Sequence, residues 1–97
     1  MSEQPITEAA LGLVDPDETR EARLKRMKIR SWRRGTKEMD LILGPFADAE
    51  LAGMDEAALD LFDALLLEND QDLYQWVSGQ AEPPEQFSDL IQVLSKR

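Results

Sequence analysis

Apolar residues recur along this chain at helical spacing. Met39, Ile42, Leu43 and Phe46 fall at i, i+3, i+4 and i+7, which puts all four on one face of a helix. Leu59, Phe62, Leu65 and Leu66 make a second such stripe, Leu73, Trp76 and Val77 a third, and Phe87, Leu90, Ile91 and Leu94 a fourth. No segment alternates apolar and polar residues, and no hairpin turn separates two β-rich runs. The fold class predicted is all-α, a small bundle of four to five short helices with a mobile N-terminal tail.

Capping and breaking residues set the expected boundaries. Residues 1–14 read as a flexible tail, because Gly12 and Pro16 interrupt the helical turn that Ala9, Ala10, Leu11 and Leu13 would make. Residues 15–97 read as one helical-bundle domain. Asp15-Pro16-Asp17 is a helix start, with Asp15 at the cap and Pro16 at the first helical position, and this helix is expected to reach about Ser31. Its apolar set is thin (Ala22, Leu24, Met27 and Ile29), so most of it should lie at the surface. Thr36 is the expected cap of the second helix, which Gly44-Pro45 should kink or split. Ala52-Gly53-Met54-Asp55 is a loop whose Asp55 caps the third helix, Asn69-Asp70 ends it, and Asp70 and Asp72 open the fourth as capping residues. Ser78-Gly79 stops the fourth helix, and Pro83-Pro84 forms a rigid link to the last.

Composition narrows the chemistry. Ninety-seven residues form one domain with a modest core, and 42% hydrophobic residues against 32% charged describe a compact chain despite a net charge of −9. There is no cysteine and no histidine, which removes thiol chemistry, disulfides, the commonest general base and the commonest metal ligand. Asp70 and Asp72 lack the glycine and closing glutamate of a calcium loop. No nucleophile-base pair or phosphate loop is present, so a binding protein is expected, not an enzyme. The first 14 residues hold Glu3 and Glu8 but no Lys or Arg, unlike a secretory signal or transit peptide, and a bacterial cytoplasmic location is expected.

Charge is also sharply segregated. Nine of the eleven basic residues (Arg20, Arg23, Lys25, Arg26, Lys28, Arg30, Arg33, Arg34 and Lys37) lie within 18 positions, and every charged residue from Glu38 to Ser95 is an acid. The acidic half opposes a polyanion, and Trp32 is the only aromatic in the basic segment, so the simpler expectation is a basic helix packed beside an acidic bundle. The segment also lacks the wide apolar face that a membrane surface requires. Neither nucleic acid nor membrane is an expected partner, and with no coiled-coil seam a monomer is expected.

The two halves meet in Ser31 to Asp40, SWRRGTKEMD. Gly35 is free to take φ > 0 and to let another backbone come close. Arg34 carries a planar fork of donors, and Glu38 lies one helical turn beyond Gly35. Read without context, these residues make a charged turn before a helix. Together with Met39-Asp40 and the later Leu66-x-x-x-Asp70-x-Asp72-Leu73-x-x-Trp76, the Arg34-Gly35-x-x-Glu38 pattern resembles the succinate dehydrogenase assembly factor 2 family, over about Leu24 to Leu94.

That resemblance implies a five-helix fold and a factor that binds the immature flavoprotein subunit of succinate dehydrogenase, promoting covalent FAD attachment by a histidine of that subunit. It further implies that Arg34, Gly35 and Glu38 contact the partner, Arg33 and Trp32 flanking them, while Asp72 and Trp76 shape the fold. FAD would be attached to the partner and not bound stably here, and fumarate reductase is a further candidate client. The alternative, resting on segment 20–37 alone, is a small nucleic-acid- or protein-binding regulator.

Overall fold

A computed structural model describes residues 17–96. Five α-helices follow one another: α1 (Arg20–Trp32), α2 (Lys37–Glu50), α3 (Glu56–Leu66), α4 (Asp70–Val77) and α5 (Ser88–Ser95), with 3₁₀ turns at Leu51–Gly53 and Glu85–Phe87. No strand occurs among the described residues. The tail expected over residues 1–14, and the proposed cap Asp15 with Pro16, lie outside them.

The four predicted stripes turn inward. Met39, Leu43 and Phe46 from α2, Leu59, Phe62, Leu65 and Leu66 from α3, Leu73 from α4, and Phe87, Leu90, Ile91 and Leu94 at α5 form one core, joined by Met27 from α1. Ile42, Trp76 and Val77 pack on its margin. Phe46 and Phe62 stack at its centre with ring centroids 5.4 Å apart, and Trp76 meets Phe87 at 6.1 Å. Each fully buried Leu or Phe of this kind contributes about 1.5–3 kcal/mol, the term that orders so short a chain.

Several boundaries differ from expectation, each for a local reason. Helix α1 begins at Arg20, after the Asp15-Pro16 signal: Thr19 is its cap, with Oγ1 accepting the Ala22 N–H at 3.1 Å. Gly44-Pro45 does not split α2, which runs unbroken for 14 residues. Pro45 denies a donor only to the carbonyl of Leu41, a residue on the exposed side where water can serve. Gly44 is there for packing, since a Cβ at this position would lie 2.3 Å from the Trp32 ring. Helix α4 is capped by Asn69, whose Oδ1 accepts the Asp72 N–H at 2.9 Å, and not by Asp70 or Asp72. Asp55, Thr36 and the positive-φ Gly79 take the terminal roles their residue types suggested.

The expected pairing of a basic helix with an acidic bundle is realised between α1 and α3. Arg26 donates to both carboxylate oxygens of Asp63, at 3.1 and 2.9 Å, and to both of Glu18, at 3.0 and 2.8 Å. Arg23 reaches Asp60 at 2.6 Å and Asp63 at 3.4 Å, and Arg20 reaches Glu56 at 2.8 Å. Asp63 is fully buried. Burial works against the charged form of Arg26, but its hydrogen bonds to Glu18 and Asp63 and their negative charge outweigh that and hold its pKa above the ordinary arginine value.

Candidate functional site

The α1–α2 loop, Arg33 to Thr36, displays the charged motif. Thr36 has extended backbone and caps α2, its Oγ1 accepting from the Met39 N–H at 3.4 Å. The chain must reverse within four residues, and Gly35 supplies the turn with φ of 99°. A Cβ there would meet nothing within 4 Å, so the glycine is demanded by backbone conformation and its outer side is open.

Arg34 points the other way. Its side chain is 10% exposed, and its guanidinium bridges two helices: Nε donates to Asp70 Oδ1 at 2.9 Å, Nη1 to the Leu66 carbonyl at 2.5 Å and Nη2 to the Glu68 carbonyl at 2.6 Å. The Leu66 carbonyl ends α3, where helical donors run out, the Glu68 carbonyl lies in the link that follows, and Asp70 opens α4. The Arg34 backbone N–H donates to Asp40 Oδ1 at 2.7 Å. Arg34 thus fixes the loop to the α3–α4 corner, an internal role that the resemblance did not assign to it.

Glu38 does the opposite. It is exposed, on the first turn of α2, beside a groove of about 580 Å³ that runs between α2 and α4. Tyr74, Gln71 and Gln75 form much of the far wall. Glu38 has no hydrogen-bond or ion-pair partner among the described residues. A carboxylate of this kind, beside a half-exposed phenol and amides, is an acceptor for a cationic or N–H-bearing group.

The remaining predicted residues separate. Arg33 is exposed at the end of α1. Trp32 lies across Gly44 with Nε1 donating to Asp48 at 3.1 Å, and it remains 39% exposed. Asp72 is exposed in the first turn of α4, favourably placed against the helix dipole, while Trp76 packs on the core margin. Gly35, Glu38, Arg33 and Trp32 are each exposed, Glu38 toward the α2–α4 groove and Trp32 over Gly44, whereas Asp72 and Trp76 lie on α4.

Sequence reasoning missed the roles of Asp40, Asp63 and Gly44. Asp63 had a legible signal, since it falls beside Phe62 and Leu66 on the apolar side of the run Leu59 to Leu66, opposite a helix rich in arginine. Gly44 had none, since its role depends on where Trp32 falls.

Among the described residues no cluster of three His, Cys, Asp or Glu could hold a metal, and no helix is long and apolar enough to cross a membrane. Fold and site define a small helical recognition module with a rigidly mounted, outward-facing loop. Residues 25–97 match the family model described as flavinator of succinate dehydrogenase (Sdh5), and the chain belongs to that family. It is 41% identical over 81 residues to succinate dehydrogenase assembly factor 2, mitochondrial, of Schizosaccharomyces pombe, covering 81% of this chain and 58% of that one. With assembly factor 2-B, mitochondrial, of Drosophila mojavensis it shares 35% over 83 residues, 84% of this chain and 53% of that one. With the FAD assembly factor SdhE of Legionella pneumophila (strain Lens) it shares 37% over 62 residues, 64% of this chain and 78% of that one. The chain thus spans little more than half the length of these two mitochondrial relatives.

Proposed function

We propose that this protein is an assembly factor that binds the immature flavoprotein subunit of succinate dehydrogenase and promotes covalent attachment of FAD to it. The single observation that carries the reading is the division within Arg34-Gly35-x-x-Glu38 in a chain of this family: one arginine locks the loop to the bundle, leaving a glycine backbone and an exposed carboxylate that has no partner among the described residues. A loop fixed in advance loses little conformational entropy on binding. Gly35 lets the partner's backbone approach, Glu38 accepts charge-assisted hydrogen bonds from it, and Arg33 and Trp32 extend the contact. The covalent chemistry belongs to the subunit and its flavin. This protein binds the attachment-competent conformation of the subunit more tightly than others and so raises its population. It acts as a monomer and holds no flavin stably of its own.

The experiment is covalent flavin in the flavoprotein subunit, read by in-gel fluorescence from cells lacking this chain and from cells complemented with wild type, Gly35→Val or Glu38→Gln. Restored fluorescence with wild type alone supports the reading, and an unchanged signal without the chain refutes it. Fumarate reductase is tested in the same gel as a second client.

The nucleic-acid alternative loses ground to one observation. Arg20, Arg23 and Arg26 are paired with carboxylates of the chain itself, so much of the basic run is neutralised internally. Binding to DNA or RNA through several phosphates would fall steeply with salt, and a protein interface with an apolar part would fall less.

A further inference from the structure

Helix α1 has a second face, turned away from α3. Lys25, Lys28, Ile29 and Trp32 follow one another at i, i+3, i+4 and i+7, and on α2 the residues Lys37, Leu41, Gly44 and Asp48 follow at i, i+4, i+7 and i+11. The Trp32 ring over Gly44, and its hydrogen bond to Asp48, set these two stripes side by side. The surface they make holds three of the chain's exposed large apolar residues: Leu41 at 56%, Ile29 at 46% and Trp32 at 39%. Lys25, Lys28 and Lys37 flank it, and none of them has an ion-pair partner among the described residues. The nearby Asp48 carboxylate already accepts from Trp32. In a chain of net charge −9, this is a cationic surface with an apolar centre.

We infer that this face is a docking surface for a short acidic, amphipathic segment of the protein partner, and that it forms a second contact with the flavoprotein subunit. The inference rests on the assembly-factor reading for the identity of the partner. Charge complementarity selects an acidic segment, whose carboxylates would meet the three lysines while its apolar side chains cover Leu41, Ile29 and Trp32. A second copy of this chain in two-fold contact would set lysine against lysine. An extended polyanion or an anionic bilayer would also face the acidic remainder of the molecule, whereas a short segment avoids it. From Lys25 to Trp32 is two turns of helix, about 10 Å at 1.5 Å per residue, which suits a segment of a few turns or strand residues. The face adjoins the Gly35 loop, with Trp32 three residues before it and Lys37 two after, so one partner can engage both.

The test uses the full chain and purified flavoprotein subunit that lacks covalent flavin. Affinity is measured for wild type, for Lys25→Glu with Leu41→Glu, and for Glu38→Gln, with hydrogen exchange read on the wild-type complex. Both residues of the double variant are exposed, and an unchanged thermal melt verifies its fold. The inference requires at least a tenfold weaker affinity for the double variant, a steeper salt dependence for wild type than for that variant, and slowed exchange over residues 25–32 and 37–48. Wild-type affinity in the double variant, with Glu38→Gln still impaired, overturns this inference and leaves the assembly reading standing. Failure of wild type to bind the subunit at all overturns both.

Discussion

Arg34 and Glu38 are four residues apart in one charged motif, yet they serve opposite ends. Arg34 is nearly buried, with its guanidinium tied to Asp70 and to two carbonyls at the α3–α4 corner. Glu38 stands in solvent beside an open groove. Buried charge of this kind sets geometry, and exposed unpaired charge is available for recognition. The same division recurs on α1, where Arg23 and Arg26 pair with acids of α3 while Lys25 is exposed. Arginine suits the inner role because its planar fork satisfies several acceptors at once, which an ammonium cannot do.

The comparison breaks first, and most severely, from the inner side. Asp63→Ala removes a fully buried carboxylate and leaves Arg26 and Arg23 short of acceptors, with an expected loss of about 3–5 kcal/mol in urea unfolding. Arg34→Ala frees the α3–α4 corner and is expected to lose about 2–4 kcal/mol, with Arg34→Lys recovering only part because a point charge cannot span all three acceptors. Hydrogen exchange at Leu67 to Asp70 should quicken in both Arg34 variants. Gly35→Ala is intermediate, since a left-handed conformation costs an ordinary residue about 1–2 kcal/mol even though the added methyl has room. Glu38→Gln is the smallest in stability, within about 0.5 kcal/mol, because it removes no internal contact. It should nonetheless abolish most flavin attachment. That inverse order, with little effect on the fold and a large effect on the partner, is what separates the outer half of the motif from the inner.

The contrast also marks how far the sequence could be read. The four apolar stripes were legible because helical periodicity reports burial directly, and each of their members joins the core or packs against it. The first helix start was misplaced because Asp15-Pro16 is a strong local signal, while Thr19, with a β-branched hydroxyl and no proline, is a weaker one that the structure uses. The survival of α2 through Gly44-Pro45 could not be seen locally. It depends on the Leu41 side of the helix being exposed and on Trp32 needing the space above Gly44. Position 34 teaches the same lesson about the site. A motif displays which residue types matter, but whether a guanidinium turns inward or outward is decided by acceptors 32 to 36 positions away.

The account depends on the outward half of the motif acting on a partner without supporting the fold. Covalent flavin content of the succinate dehydrogenase flavoprotein subunit, measured by in-gel fluorescence in cells whose only copy of this chain carries Glu38→Gln, tests that directly. The account predicts a strongly reduced flavin signal from a variant that melts with wild type. A full flavin signal from that variant would contradict it.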